Sequence, residues 1–304
     1  MRLRFAAILI AVLLASAISP GVQAQNPDNM MPEDSEALAR KILGQTVTTL
    51  GGPAYLQARG LQCTGRLAQF EHSGNLAGYT IFRNYWSFPD KNRAEYETKS
   101  SKLGMLSVLV GSIPVKGGTM VQVYSGDQGW SLDRGGVSPL TPDMIEQFQE
   151  SLKRSVDQLL RYRMTNEDLT IRYGGLDLID MLPVDLVDIT DSQERKFRLA
   201  IRRSDHVLIR SVVKTPDQVR GDIIEDVTVF ANYHTIGGVL VPLQITRVRD
   251  GRRIFQVFYD ACAVNPALAA DFFTQEGLEK RFAQTASHKD KERAAKEKEQ
   301  QDNN

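Results

Sequence analysis

Period-two alternation dominates the later part of the sequence. Phe197, Leu199 and Ile201 alternate with Lys196, Arg198, Ala200 and Arg202, and Val239, Val241, Leu243 and Ile245 repeat the same odd-numbered pattern. Successive side chains of a strand point to opposite faces, so each run sets one face against an apolar interior and the other in water. The pattern predicts one large, one-sided antiparallel sheet. Function then turns on what fills the covered face.

The residues needed for catalysis are not grouped along the chain. His72, His206 and His288 fall in turns or the tail, and His234 ends a strand beside Tyr233. No serine lies in a Gly-x-Ser-x-Gly setting, so a serine hydrolase has little to stand on. Asp177, Asp180, Asp185 and Asp188 form an acidic run, but leucines and a proline interleave them and the glycine turn of a calcium loop is missing, so the run reads as a solvated edge. Gly117-Gly118 and Gly135-Gly136 have no following helix with which to cradle phosphate. The expectation is a non-enzymatic protein with no cofactor and no metal.

Arg2 and Arg4 precede the apolar run Phe5 to Ala17, and Val22-Gln23-Ala24 places small residues where a signal peptidase reads. Residues 1–24 therefore read as a cleaved secretory leader, and the expected location is the periplasm. No cysteine near the cleavage point can carry a lipid anchor, and no later segment approaches the roughly 20 apolar residues of a membrane-spanning helix. The 37 basic and 37 acidic residues balance, so no field of one sign favours nucleic acid or anionic membrane. Cys63 and Cys262 are the two cysteines. An oxidising compartment allows them one disulfide, and two packed free thiols fit the pattern as well, since Cys63 shares a strand face with Leu61 and Leu67.

About 280 residues remain after the leader, ample for one domain with its own core. Leu38, Ile42, Leu43, Val47 and Leu50 predict a helix capped by Asp34 or Ser35 and stopped at Gly51-Gly52. Strands follow over Leu61 to Phe70, Tyr79 to Phe88 and near Arg93 to Glu97. Met105 to Val110 reads as a buried strand or a mobile lid. Another hairpin pairs Met120 to Tyr124 with Gly129 to Asp133. Thr141 and Pro142 then start one long helix whose apolar side runs from Met144 through Phe148, Leu152 and Val156 to Leu160, with Glu146, Gln149, Lys153 and Asp157 on the solvent side. Six more strands are expected over Val184 to Thr190, Arg195 to Arg202, Val207 to Val213, Ile223 to Tyr233, Val239 to Arg247 and Ile254 to Ala261. The count reaches about eleven. From Thr285 onward Lys, Glu, Ala and Gln predict a charged tail without a fixed fold.

Three stretches together resemble the periplasmic lipoprotein-carrier family, LolA/LolB and their outer-membrane lipoprotein-sorting relatives. They are Ile81 to Tyr96 with Phe88-Pro89-Asp90 at its centre, Val123-Tyr124-Ser125-Gly126-Asp127-Gln128-Gly129-Trp130, and Val187 to Arg249 with Asn232-Tyr233-His234 and Gly237-Gly238-Val239. The resemblance implies a mainly β (α+β) architecture: an open half barrel of antiparallel strands with covering helices, occupying 25–283 between the leader and a tail at 284–304. It also implies an interior that binds acyl chains. Trp86, Phe88, Trp130, Phe148, Phe197 and Phe258 are the candidate cavity residues, although each taken singly reads first as ordinary core.

The expected function is a soluble, monomeric periplasmic carrier. It would shield the acyl part of a lipid or lipidated protein, with transient membrane-surface contact and transport or sorting to the outer membrane. The alternative is an envelope sensor or scaffold that uses the same fold to bind a protein partner, its interior filled by its own side chains.

Overall fold

A computed structural model describes residues 27–71, 73–98, 118–166, 168–216 and 221–284. The leader 1–24, His72, the segment Met105 to Val110, His288 and the tail from Thr285 lie outside the described residues.

The described residues form thirteen strands in a single antiparallel sheet. In chain order they are β1 (Gly60–Phe70), β2 (Leu76–Ser87), β3 (Lys91–Thr98), β4 (Gly118–Ser125), β5 (Gln128–Asp133), β6 (Gly136–Pro139), β7 (Thr170–Ile179), β8 (Leu182–Thr190), β9 (Lys196–Arg202), β10 (Leu208–Pro216), β11 (Ile223–Ile236), β12 (Val239–Arg249) and β13 (Arg252–Val264). Across the sheet the order is β6-β5-β4-β3-β2-β1-β13-β12-β11-β10-β9-β8-β7. The first and last strands therefore meet in the middle, and the edges β6 and β7 stay unpaired with each other, so the barrel is open. Cys63 and Cys262 stand directly opposite across the β1–β13 seam and are joined as a disulfide, with Cα atoms 4.1 Å apart.

Two strands exceed the sequence expectation. β6 is a four-residue strand, too short to show alternation. β7, for which no strand is expected, carries Gly174-Gly175 in its interior. In the structure the pair makes a bulge: Gly175 has φ +95°, a conformation glycine adopts without cost, and the register with β8 shifts there.

The first helix, α1 (Pro32–Thr49), starts earlier than expected, with Pro32 at its first position. Ser35 is buried inside it, and its hydroxyl accepts from the Tyr173 N–H at 3.0 Å, tying α1 to β7. A short turn, α2 (Pro53–Leu56), follows Gly51-Gly52. The expected single long helix is two pieces, α3 (Pro142–Lys153) and α4 (Val156–Gln158), the latter continuing as a wider turn over Leu159–Arg163. Ser155 restarts the helix by accepting from the Gln158 N–H at 3.4 Å. The Ser-x-x-Gln spacing is a capping-box signature, and it wins over the continuous apolar stripe.

The topology explains why helices cover the sheet. After β6 the chain stands at one edge and must reach the other to begin β7, and α3–α4 makes that crossing over the inner face. Ile42, Leu43, Leu159, Phe197, Leu199 and Ile201 pack there into the main core. The outer face, expected to be open to water throughout, is covered over β2–β5. Leu268, Phe272 and Phe273, from the segment leading into helix α5 (275–284), and Leu278 of that helix pack on Tyr85, Val121, Val123 and Leu132. Beneath that cover, Arg93 and Glu95 form a buried ion pair at 2.8 Å, and Arg93 donates to the Phe272 carbonyl at 2.8 Å.

Candidate functional site: a cavity under the crossing helices

Between α3–α4 and the inner face lies a cavity of about 540 Å³, within the range of about 300–1,000 Å³ typical of ligand pockets. Strand parity supplies its floor. Phe82 and Trp86 on β2, Ala94 and Tyr96 on β3, and Phe255, Val257 and Tyr259 on β13 all face inward, and Leu152, Val156 and Leu160 form the roof. The walls are predominantly apolar. Burial pushes the Tyr96, Tyr233 and Tyr259 hydroxyls above their ordinary range, so these three side chains stay uncharged at neutral pH.

Polar groups on the wall are of two kinds. Some are satisfied within the protein: Asn92 donates to the Asn84 side-chain oxygen at 2.8 Å and to the Tyr85 carbonyl at 3.1 Å. The Tyr55 hydroxyl donates to Asp157 at 2.8 Å, Arg161 donates to the same carboxylate at 2.8 Å, and the Arg161 guanidinium lies 3.8 Å from the Tyr55 ring centre and 4.5 Å from that of Phe88. Gln158 also donates to the Pro89 carbonyl. These contacts fasten α4 to α2 and to the β2–β3 turn. The second kind is Arg154, at the α3–α4 break, whose buried Nε has no hydrogen-bond partner.

Of the candidate aromatics, Trp86 and Phe88 line the cavity. Phe148 projects from α3 and stacks between Tyr124, at 4.3 Å, and Trp86, at 6.2 Å. Trp130 stands opposite Val123, which places it on the outer face with the residues that α5 covers. Phe197 is 1% exposed in the main core. Phe258 alternates with the cavity residues Val257 and Tyr259, so it faces outward. Asp157, expected on the solvent side, lines the cavity because the helix is reset at Ser155. Tyr55, Arg154, Asp157 and Arg161 escaped sequence reasoning. The i, i+4 spacing of Asp157 and Arg161 was their one local signal.

Elsewhere, His234 is exposed, with Nε2 3.1 Å from the Asn232 side-chain oxygen. In the acidic run, Asp188 pairs with Arg198 at 2.7 Å and Asp185 accepts from the Tyr173 hydroxyl at 3.1 Å. No group of three or more metal-binding side chains occurs among the described residues, nor is any helix among them long and apolar enough to cross a membrane.

No family model matches the chain, and no curated protein does. Solved structures match in fold. A putative outer membrane lipoprotein-sorting protein domain from Vibrio parahaemolyticus superposes with a TM-score of 0.50 at 10% identity, covering 82% of this chain and 100% of that one. A DUF1329 family protein from Desulfovibrio piger gives 0.50 at 10% identity over 79% and 98%. A LolA superfamily protein from Nitrosomonas europaea gives 0.48 at 12% identity over 79% and 99%. The chain thus shares its fold with the Vibrio parahaemolyticus and Desulfovibrio piger structures, an open antiparallel half barrel with helices across its inner face.

Proposed function

We propose that the protein is a non-catalytic periplasmic carrier that holds the acyl part of a lipid or lipidated protein in the cavity under α3–α4. The observation that carries this reading is the cavity itself: about 540 Å³ bounded mainly by apolar side chains and roofed by a helix that is broken at Ser155. Apolar surface of this kind favours a hydrocarbon chain over water at about 25 cal/mol per Å² buried. A roof held by side-chain packing and hydrogen bonds, rather than by strand pairing, is a part that ligand entry can displace. The disulfide and the leader together support export, since disulfides persist outside the cytoplasm. The lipoprotein-sorting description of the Vibrio parahaemolyticus domain points the same way. Transfer by relative affinity, transient contact with a membrane surface and a monomeric state complete the reading.

The test is organic extraction and mass spectrometry of mature protein purified from an envelope without detergent. Stoichiometric lipid is the expected result. Monodisperse protein that carries no lipid and takes up none from vesicles refutes the carrier and leaves the protein-binding module.

A further inference from the structure

One end of the cavity is polar and positively charged. A row of directly opposed residues crosses four strands of the inner face there: Phe255 on β13, Arg247 on β12, Thr228 on β11 and Ser211 on β10. Ser211 is 2% exposed; beyond the cavity lining, Gln69 on β1 stands opposite Phe255, is 5% exposed and has no hydrogen-bond partner for its Nε2. Next to the row, Arg249 donates to both oxygens of buried Asp226 at 2.8 and 3.1 Å, and Arg247 Nη2 lies 3.3 Å from the same carboxylate. Arg154 comes down from the α3–α4 break, within electrostatic reach of Asp226, Arg247 and Arg249, with its own buried Nε unpaired.

Three guanidinium groups therefore share one carboxylate. The other acid within reach of Arg154 is Glu150, which accepts from Lys153 at 2.6 Å and lies 3.6 Å from Arg195. A buried guanidinium N–H or amide N–H without an acceptor is costly, and a ligand that brings one recovers that cost. Guanidinium groups are suited to planar carboxylate and to phosphate oxygens. The Asp157–Arg161 pair in the same cavity is matched internally and offers a ligand no such gain.

We propose that this end of the cavity binds the anionic headgroup, phosphate or carboxylate, of an amphiphile whose acyl chain lies along the apolar wall. The inference rests on the acyl-binding reading and narrows it to charged amphiphiles. An uncharged head leaves Arg154 Nε without an acceptor.

Displacement of the uncharged dye N-phenyl-1-naphthylamine from the full mature chain, read by fluorescence, tests both levels. Dodecyl phosphate and dodecanoate are expected to displace the dye at concentrations about tenfold or more below dodecanol, the factor a single charge-assisted hydrogen bond supplies. Arg154→Gln is expected to cut that preference about tenfold, read as the ratio of the dodecanol and dodecyl phosphate midpoints within the variant. The comparison of headgroups on the unmodified chain stands even if the variant misfolds. Equal displacement by dodecanol and dodecyl phosphate overturns the headgroup site and leaves the acyl reading intact. Failure of every amphiphile to bind overturns the acyl reading and the headgroup site with it. Inorganic phosphate that binds as tightly as dodecyl phosphate in titration calorimetry assigns the site to a free anion and overturns the lipid headgroup.

Discussion

Removing the Cys63–Cys262 disulfide is expected to cost far more than a local contact would. The bond spans a sequence separation of 199 residues and sits on the β1–β13 seam, where the two ends of the meander pair. In the chain-entropy account, a cross-link withdraws loop-closure freedom from the unfolded chain in proportion to the logarithm of the loop, which for a loop of this length gives about 5 kcal/mol at 25 °C. With an unfolding entropy near 2.1 cal/mol/K per residue over roughly 240 folded residues, the melting temperature of Cys63→Ala/Cys262→Ala falls by about 10 °C. Urea unfolding provides the second readout. The midpoint drops, and the slope rises because the uncross-linked unfolded chain exposes more surface. Trp86 in the cavity and Trp130 on the outer face report the transition from both faces of the sheet. Dithiothreitol is expected to shift the parent protein to the variant's midpoint and to leave the variant unmoved. A loss below about 1 kcal/mol with an unchanged slope would refute the loop-closure reasoning and assign the seam's stability to its ladder and packing alone.

Three further outcomes are expected. Glu95→Gln leaves buried Arg93 without its carboxylate and releases Arg281 of α5, which also bonds Glu95. Breaking one side of a buried pair costs about 3–5 kcal/mol, and faster proteolysis near 275–284 accompanies it; a loss under about 1 kcal/mol contradicts the role given to the pair. Asp191 is buried; burial alone would raise its carboxyl, but hydrogen bonds from Arg163 and Arg195 hold it below the ordinary range. Its contribution is therefore complete above the unfolded-state value near 4 and fades as pH falls through the depressed folded value. The stability gap between parent and Asp191→Asn must narrow on acidification below about pH 5, and a gap that stays constant down to acid unfolding rules this out. Arg161→Ala removes the guanidinium from between Tyr55, Phe88 and Asp157, so ligand is expected to enter and leave faster in stopped-flow dye exchange. Unchanged exchange rates would show that α4 is not the part that moves.

Much of the sheet was legible because a half-buried strand writes its geometry directly as alternation. Phe197, Leu199 and Ile201 are at most 1% exposed while Lys196 and Arg198 face water. β7 was illegible for a physical reason: a glycine pair that bends a strand and one that ends it look the same without the partner strand. The cavity was harder to read. Trp86 and Trp130 are both hairpin tryptophans, yet one faces inward and the other outward. Local sequence does not reveal that α5, more than 130 residues downstream of Trp130, supplies a second apolar layer behind β2–β5. Asp157 and Arg161 are ordinary helix-surface residues until the break at Ser155 rotates them over the cavity.

The meeting of β1 and β13 at the centre of the sheet has a consequence for how the chain reaches this state. Contacts between segments so distant in sequence raise contact order, which slows folding because a long loop must close before its pairing is rewarded. During synthesis β1 can pair on one side with β2 at once, but its other edge stays bare until β13 appears. A nascent chain that stalls before Arg252 therefore presents an unprotected central edge, open to pairing with a second copy. The last strand completes the sheet at its middle, so the protein is vulnerable to aggregation until nearly all of it has been made.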